Sequence, residues 1–395
     1  MAVISNMGNV GLNKEKCENH SFSRIHHSSA GLIRLFLLIV LFAETIMAQN
    51  PLPWKGSMAK QGAVTVVINP KTPIDKREFL SLTEEWAIGG AKAGPDAMFS
   101  SIRNFIVDEA GNVYVLDSKE SLIRVFSSSG RFLRQIGKKG DGPGELASPL
   151  RLSIHRTSRE LVVSQNSRRI TFFDLEGKYI RSLNTGAHYI PQCEVDSEGH
   201  IIGLEADFVS REASFALIKF DRALNPLTVL IKKPIPESVF KGDPYAPAPY
   251  WVVDTHDNIF FGFPDRYEIS IFDKSGGIQR IIQKEFDPVE VKKTETPAGQ
   301  PMRDSGLEDS ASKYHSAYES FFIDSRGYLF VRTWIPGPRK NEFIYDIFDH
   351  EGRYLARQPL AGRLWLGRTS DFYAVDEDDE GFPVLKKYAV IRRIQ

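Results

Sequence analysis

Ile88-Gly89, Gly94-Pro95 and Ser101-Ile102-Arg103 return 48 positions later as Ile136-Gly137, Gly142-Pro143 and Pro149-Leu150-Arg151. A period of that length marks repeated supersecondary units that form a propeller or an array. Between the copies lie residues 105–107, 113–116, 122–126 and 132–136, short runs rich in β-branched and aromatic residues and bounded by turn residues. That is the pattern of antiparallel strands. One unit is therefore a small sheet of about four strands, and the chain is expected to be all-β.

Two turns recur in register. The first is a hydrophobic strand followed by Asp-x-x-Gly, as at Phe173-Asp174 to Gly177, Phe272-Asp273 to Gly276 and Phe348-Asp349 to Gly352. An Asp side chain can bond the backbone two residues on, and Gly accepts the left-handed conformation that closes such a hairpin. Variants stand at Phe126-Ser127 to Gly130 and at Phe220-Asp221 to Asn225, where Asn is expected to replace Gly. The second turn lies upstream in each unit, at Asp108, Asp196, Asp254 and Asp324, with a decayed copy at His155. Together they place units at 99–137, 148–184, 189–232, 249–285 and 317–360.

A sixth unit is split between the chain ends. Residues 363–367, 371–375 and 385–391 supply three strands, and residues 84–89, which match 132–137 by the 48-residue offset, supply the fourth. Pairing the termini this way leaves no long free edge. The expectation is a six-bladed β-propeller with four-stranded antiparallel blades over residues 84–395, its last blade closed by an N-terminal strand. Residues 49–83 form an extension in which 63–68 reads as a strand that could add to the last blade. Residues 285–313 are a long polar insertion without a strand signal, which a compact domain usually keeps for function or leaves disordered.

The segment before the extension bears on location. Residues 35–43 (LFLLIVLFA) follow Lys14, Lys16, Arg24 and Arg34 and precede small residues ending at Ala48, the layout of a secretory signal over 1–48. Nine apolar residues are short of the roughly 20 that usually span a bilayer. The mature chain is expected outside the cytoplasm, periplasmic or extracellular, with no integral membrane domain after cleavage; uncleaved, the segment is an anchor. Cys17 would leave with the signal, so Cys193 has no intramolecular partner and stability rests on the core. Lys plus Arg, at 50, equals Asp plus Glu, at 50, so no overall charge draws the chain to nucleic acid.

On the run Ile106-Val107-Asp108 through Gly111 to Asp117, on Ile123-Arg124-Val125-Phe126 and on Ile136 to Leu146, the chain resembles the NHL-type six-bladed β-propellers. Its last third, through Phe348 to Leu355, is similar to exported bacterial six-bladed propellers. The resemblance implies the fold over nearly the whole mature chain. It implies no single function, because this architecture hosts lyases, lactonases and binding modules alike.

Several constellations invite chemistry and fall short of it. The glycine-rich run 137–144 lacks the Lys-Ser/Thr ending and the following helix of a phosphate loop, and is expected to be an inter-blade connection. The acidic run 376–381 begins like a calcium loop, but its twelfth position is Lys387. His155, His200, His256 and His350 sit in the recurring turns and are expected to be solvated there. Metal-dependent lactonase-like propellers would carry Glu and Asn around the channel; Glu194, Asn104 and Glu319 occupy first-strand segments, but no motif marks them as ligands. No Gly-x-Ser-x-Gly elbow occurs.

A complete structural repeat without a complete catalytic constellation points to a non-enzymatic module, monomeric and without a cofactor, that binds a peptide, protein or glycan. The rival is a hydrolase or lyase with a divalent metal at the channel mouth. The longest loops, 233–249, 285–313 and 334–343, are expected on the face carrying the inter-blade connections. His188, Tyr245, Tyr250, Tyr314, His315 and Trp334 are the candidate binding residues there, with Arg211 and Arg339 for an anionic part of the ligand.

Overall fold

In the computed structural model, which describes residues 53–210, 212–243, 245–291, 312–366 and 371–393, each Asp-anchored turn closes by one set of local bonds. Asp174 Oδ1 accepts from the Lys178 amide at 2.8 Å, and the Gly177 amide donates to the Asp174 carbonyl at 3.0 Å. Asp108, Asp324 and Asp349 bond the amides of Asn112, Tyr328 and Arg353 at 2.8–2.9 Å in the same way. Where Ser127 replaces Asp, its hydroxyl accepts from the Arg131 amide at 3.2 Å. The Asp221 copy corrects one expectation: the left-handed position is taken by Leu224 (φ 67°), not Asn225, whose amide instead bonds Asp221 at 2.8 Å.

These hairpins build six sheets. Blade one runs from Ile102 to Ile136, blade two from Pro149 to Asn184, blade three from Gln192 to Pro234, blade four from Tyr250 to Lys284 and blade five from Ser320 to Ala361. Blade six joins Arg363–Leu366, Phe372–Glu377 and Pro383–Arg392 to the early strand Leu80–Gly89, which pairs antiparallel with Trp86 opposite Lys387 and Glu84 opposite Tyr388. The core sits between blades. Each of six apolar clusters draws on two neighbouring sheets, and the last joins Ile88, Tyr373 and Leu385 of blade six to Phe105, Val115 and Phe126 of blade one. The ring is closed by packing as well as by pairing. Antiparallel geometry puts both recurring turns of blades one to five on one face, the turn face, and the inter-blade connections with the second-to-third strand loops on the other, the connection face.

The glycine of the third-to-fourth strand turn has a second duty. A Cβ on Gly352, at φ 83°, would come within 2.7 Å of Ile282 on the outer strand of blade four, and one on Gly177 equally close to Ile136 of blade one. The turn of each of these blades thus lies against its predecessor's edge. Gly352→Ala is expected to cost about 2–5 kcal/mol, from left-handed backbone plus overpacking. Gly381→Ala, at φ 84° with open space around it, should cost only the backbone part, about 1–2 kcal/mol. Urea unfolding of the two variants tests the difference, and equal losses would contradict the packing role.

The N-terminal extension departs from expectation. Val64–Asn69 does not join blade six; it runs parallel to Ile278–Lys284 at the outer edge of blade four, with Ser57–Gln61 antiparallel outside it, so that this sheet has six strands. Asn69 explains the choice. Its Oδ1 accepts from the Tyr354 amide (2.7 Å) and from Trp54 Nε1 (3.0 Å), and its Nδ2 donates to the carbonyls of Gly352 (2.9 Å) and Gln283 (3.1 Å). A fully buried amide is satisfied only in the groove between blades four and five. Beyond it the chain bonds along blade five, from the Ile74 and Asp75 amides to Tyr354 and Leu355, before Phe79 and Leu80 donate to Gln358. The extension therefore straps three blades together. The expected signal at 1–48 and residues 292–311 of the insertion lie outside the described residues.

Candidate functional site

The innermost strands of the six blades enclose a central cavity of about 550 Å³. At its connection-face end stand Arg103, Asn104, Arg151, Gln192, Tyr250 and Arg363, each near the start of a first strand. The three acidic or amide groups singled out as lactonase-like are engaged here. Asn104 Oδ1 accepts from the Leu152 amide at 2.7 Å, Glu194 is ion-paired with Arg151, and Glu319 is ion-paired with Arg332 and, at 3.2 Å, with Arg363. Burial lowers the Arg332 guanidinium to about 10, and Arg363 pushes the same way. Two arginines thus share one carboxylate. Arg103 is exposed and has no hydrogen-bond or ion-pair partner among the described residues.

The candidate binding residues divide into three groups. Tyr245, His315 and Trp334 come together: His315 stacks on Trp334 with centroids 4.4 Å apart, and Tyr245 meets His315 edge-on at 4.9 Å. Tyr245 and His315 are buried, so they brace the connection between blades three and four against the one between blades four and five, and only Trp334 keeps an accessible edge. Tyr314 is next to them in the chain, exposed, with Lys313 Nζ 5.1 Å from its ring. Tyr250 stands apart from that cluster, lining the central cavity and packing on Phe321 at 5.0 Å. His188 lies between blades two and three, with Nδ1 2.7 Å from Glu205 Oε1 and its ring against Phe220. Arg339 is exposed and ion-paired with Glu342 at 3.6 Å, and Arg211 lies outside the described residues.

His155 corrects the expectation of solvated turn histidines. It is 6% exposed, with Nδ1 2.5 Å from Ser158 Oγ and 3.8 Å from Glu160. Serine and acid on the same ring nitrogen do not make a triad, which needs them on opposite nitrogens. His256, by contrast, is well exposed. The run 376–381 spends two of its carboxylates on the fold: Asp378 accepts from the amides of Phe382 (2.9 Å) and Ala91 (2.6 Å), and Asp376 from Asn341 Nδ2 (2.8 Å). In the run 137–144, Glu145 accepts from the Gly142 amide at 2.9 Å, so a carboxylate of the chain itself occupies the place an anion would need. Cys193 is buried in blade three, and burial pushes its thiol up to about 12.

The connection face also carries a patch that sequence reasoning missed. Phe208 and Val209, in the second-to-third strand loop of blade three, and Phe240, in the short helix Glu237–Phe240 that follows that blade, are exposed, Val209 at 96%. Phe208 touches Phe240 and Phe215 edge-on at 6.4 and 6.1 Å. Two apolar residues in succession at the tip of a polar loop were the available signal.

A protein-family sequence model, DUF5128, described as a six-bladed β-propeller, matches residues 96–332. Among solved structures, a Bacteroides fragilis protein inferred to be exported superposes with a TM-score of 0.57 at 13% identity, over 83% of this chain and all of that one. A member of the DUF4221 family from Bacteroides vulgatus gives 0.47 at 14% identity, over 80% of this chain and all of that one. Among curated proteins, the protein brain tumor of Drosophila melanogaster is 26% identical over 113 residues; the match spans 28% of this chain and 11% of that protein. No helix among the described residues is long and apolar enough to cross a membrane.

Proposed function

Because the chain belongs to the DUF5128 family of six-bladed β-propellers, we propose that it is an exported, non-catalytic binding module whose connection face takes a protein, peptide or glycan ligand. The observation that carries this reading is the exposed cluster of Phe208, Val209 and Phe240 on that face. Contiguous apolar side chains left in water mark interaction surfaces, and here they stand on loops held by a rigid ring. The half-exposed Trp334 and exposed Tyr314 extend the same face across the next blade. Export rests on the apolar run at 35–43 and accords with the exported character inferred for the Bacteroides fragilis propeller.

The rival reading, a metal-dependent hydrolase or lyase, needs channel carboxylates free to hold a cation. Glu194 and Glu319 are instead neutralised by arginines. A photo-crosslinking residue in place of Phe240 is expected to give discrete adducts in the producing cell. The same residue in place of His256, exposed on the turn face of blade four, should give none. Equal labelling from both positions, or none from 240, would refute the proposed face.

A further inference from the structure

The channel holds a second feature, separate from the apolar patch. Around its connection-face end the lining brings together three arginines, Arg103, Arg151 and Arg363, and one carboxylate, Glu194, with Glu319 paired to Arg363 from outside the lining. The Glu319 carboxylate is shared by Arg332 and Arg363, and the Arg151 guanidinium, already paired with Glu194, also lies 5.0 Å from the centre of the Trp251 ring. Tyr250 lines the same end, and its hydroxyl has no hydrogen-bond partner among the described residues. Its phenol is pushed up by burial, pulled down by Arg151 and acted on by Glu194 and Arg363, so these groups surround one region of the cavity. Excess guanidinium in a concave, partly desolvated place is repulsive by itself and is relieved by an anion. Guanidinium forks and a phenol are also the donors that recognise carboxylate or phosphate oxygens.

We propose that the connection-face end of the central channel is an anion site that takes the carboxylate or phosphate group of a small acidic ligand between Arg103, Tyr250 and Arg363. Arg103 supplies an unpaired positive charge, the Tyr250 hydroxyl donates one hydrogen bond, and Arg363 turns toward the anion the guanidinium face that Glu319 leaves open. The neutral part of the ligand lies in the 550 Å³ cavity, which holds something the size of a sugar acid or a dipeptide.

Calorimetric titration of the purified protein with glucuronate, inorganic phosphate and glucose tests this. Saturable binding of glucuronate or phosphate at concentrations up to about 10 mM, without binding of glucose, is expected, and the tighter of the two anions assigns the group. Arg103→Ala should weaken that binding about tenfold and Tyr250→Phe several-fold, while Arg131→Ala, on an exposed turn at the opposite face, should leave it unchanged. Because Arg103 and the Tyr250 hydroxyl have no hydrogen-bond or ion-pair partners among the described residues, these variants should fold as the parent does, which melting curves check. No saturable binding of either anion, or binding that Arg103→Ala and Tyr250→Phe leave intact, overturns the proposal. Neither result bears on adduct formation at position 240, so the two ideas fail separately.

Discussion

Asp346→Ala is expected to destabilise the protein by about 3–5 kcal/mol, because it strands a buried positive charge. Asp346 is wholly buried between blades four and five. It accepts hydrogen bonds from the hydroxyls of Tyr267 (2.8 Å) and Tyr354 (2.5 Å), lies 3.4 Å from the buried Lys284 Nζ and 3.3 Å from Arg357 Nε. Burial lowers the Lys284 ammonium below its ordinary value, against the pull of Asp346. Removing the carboxylate removes that pull and lowers it further. A lysine whose folded value is depressed binds fewer protons folded than unfolded, so stability rises with pH between the folded value and the ordinary 10.5. The variant should therefore recover part of its loss as the solution is made alkaline, more steeply than the parent does. Adding Lys284→Met should restore much of the stability at neutral pH, since the stranded charge is gone. Urea unfolding of the single and double variants checks both points; a double variant no better than Asp346→Ala would mean that the loss comes from the tyrosines and not from the charge.

Deleting residues 80–89 is expected to abolish the cooperative unfolding transition. This strand pairs with Pro383–Arg392 along its whole length and places Leu80 and Ile88 in two different inter-blade clusters. Loss of the two side chains alone costs about 3–6 kcal/mol, comparable with the roughly 5–15 kcal/mol net stability of an ordinary domain. Their removal also bares the partners Phe372, Tyr388, Tyr373 and Leu385. A truncated chain that melts as the parent does would contradict closure of the ring through blade six.

Much of this was readable because the repeated turns are local. Asp174 and Lys178 are four residues apart, and so are Asp349 and Arg353; the bond that shapes each hairpin is written within five positions. Blade limits followed to within a few residues. The site was less readable. Of the six candidates grouped together, Tyr245, His315 and Trp334 meet while His188 and Tyr250 stand apart, and burial makes the first two a brace, since exposure is a property of what covers a residue rather than of the residue. Phe208, Val209 and Phe240 went unnoticed for the converse reason: isolated apolar residues in loops are ordinary until they are seen side by side.

By itself, then, the sequence determined the strands, the turns and the sixfold repeat, since each depends on hydrogen bonds and alternation over a handful of neighbouring residues. Tertiary structure alone decided the rest. It placed Val64–Asn69 on blade four, where the buried Asn69 amide finds all four of its partners, two of them 283 to 285 positions away. It put Leu224 into a left-handed turn that glycine occupies in the neighbouring copies, because the bonds of Asp221 and the packing of blade three hold the backbone there. And it paired Glu194 with Arg151 and Glu319 with Arg363 across adjacent first strands, so that the charge left over at the channel mouth depends on which side chains face inward, a phase that no local pattern records.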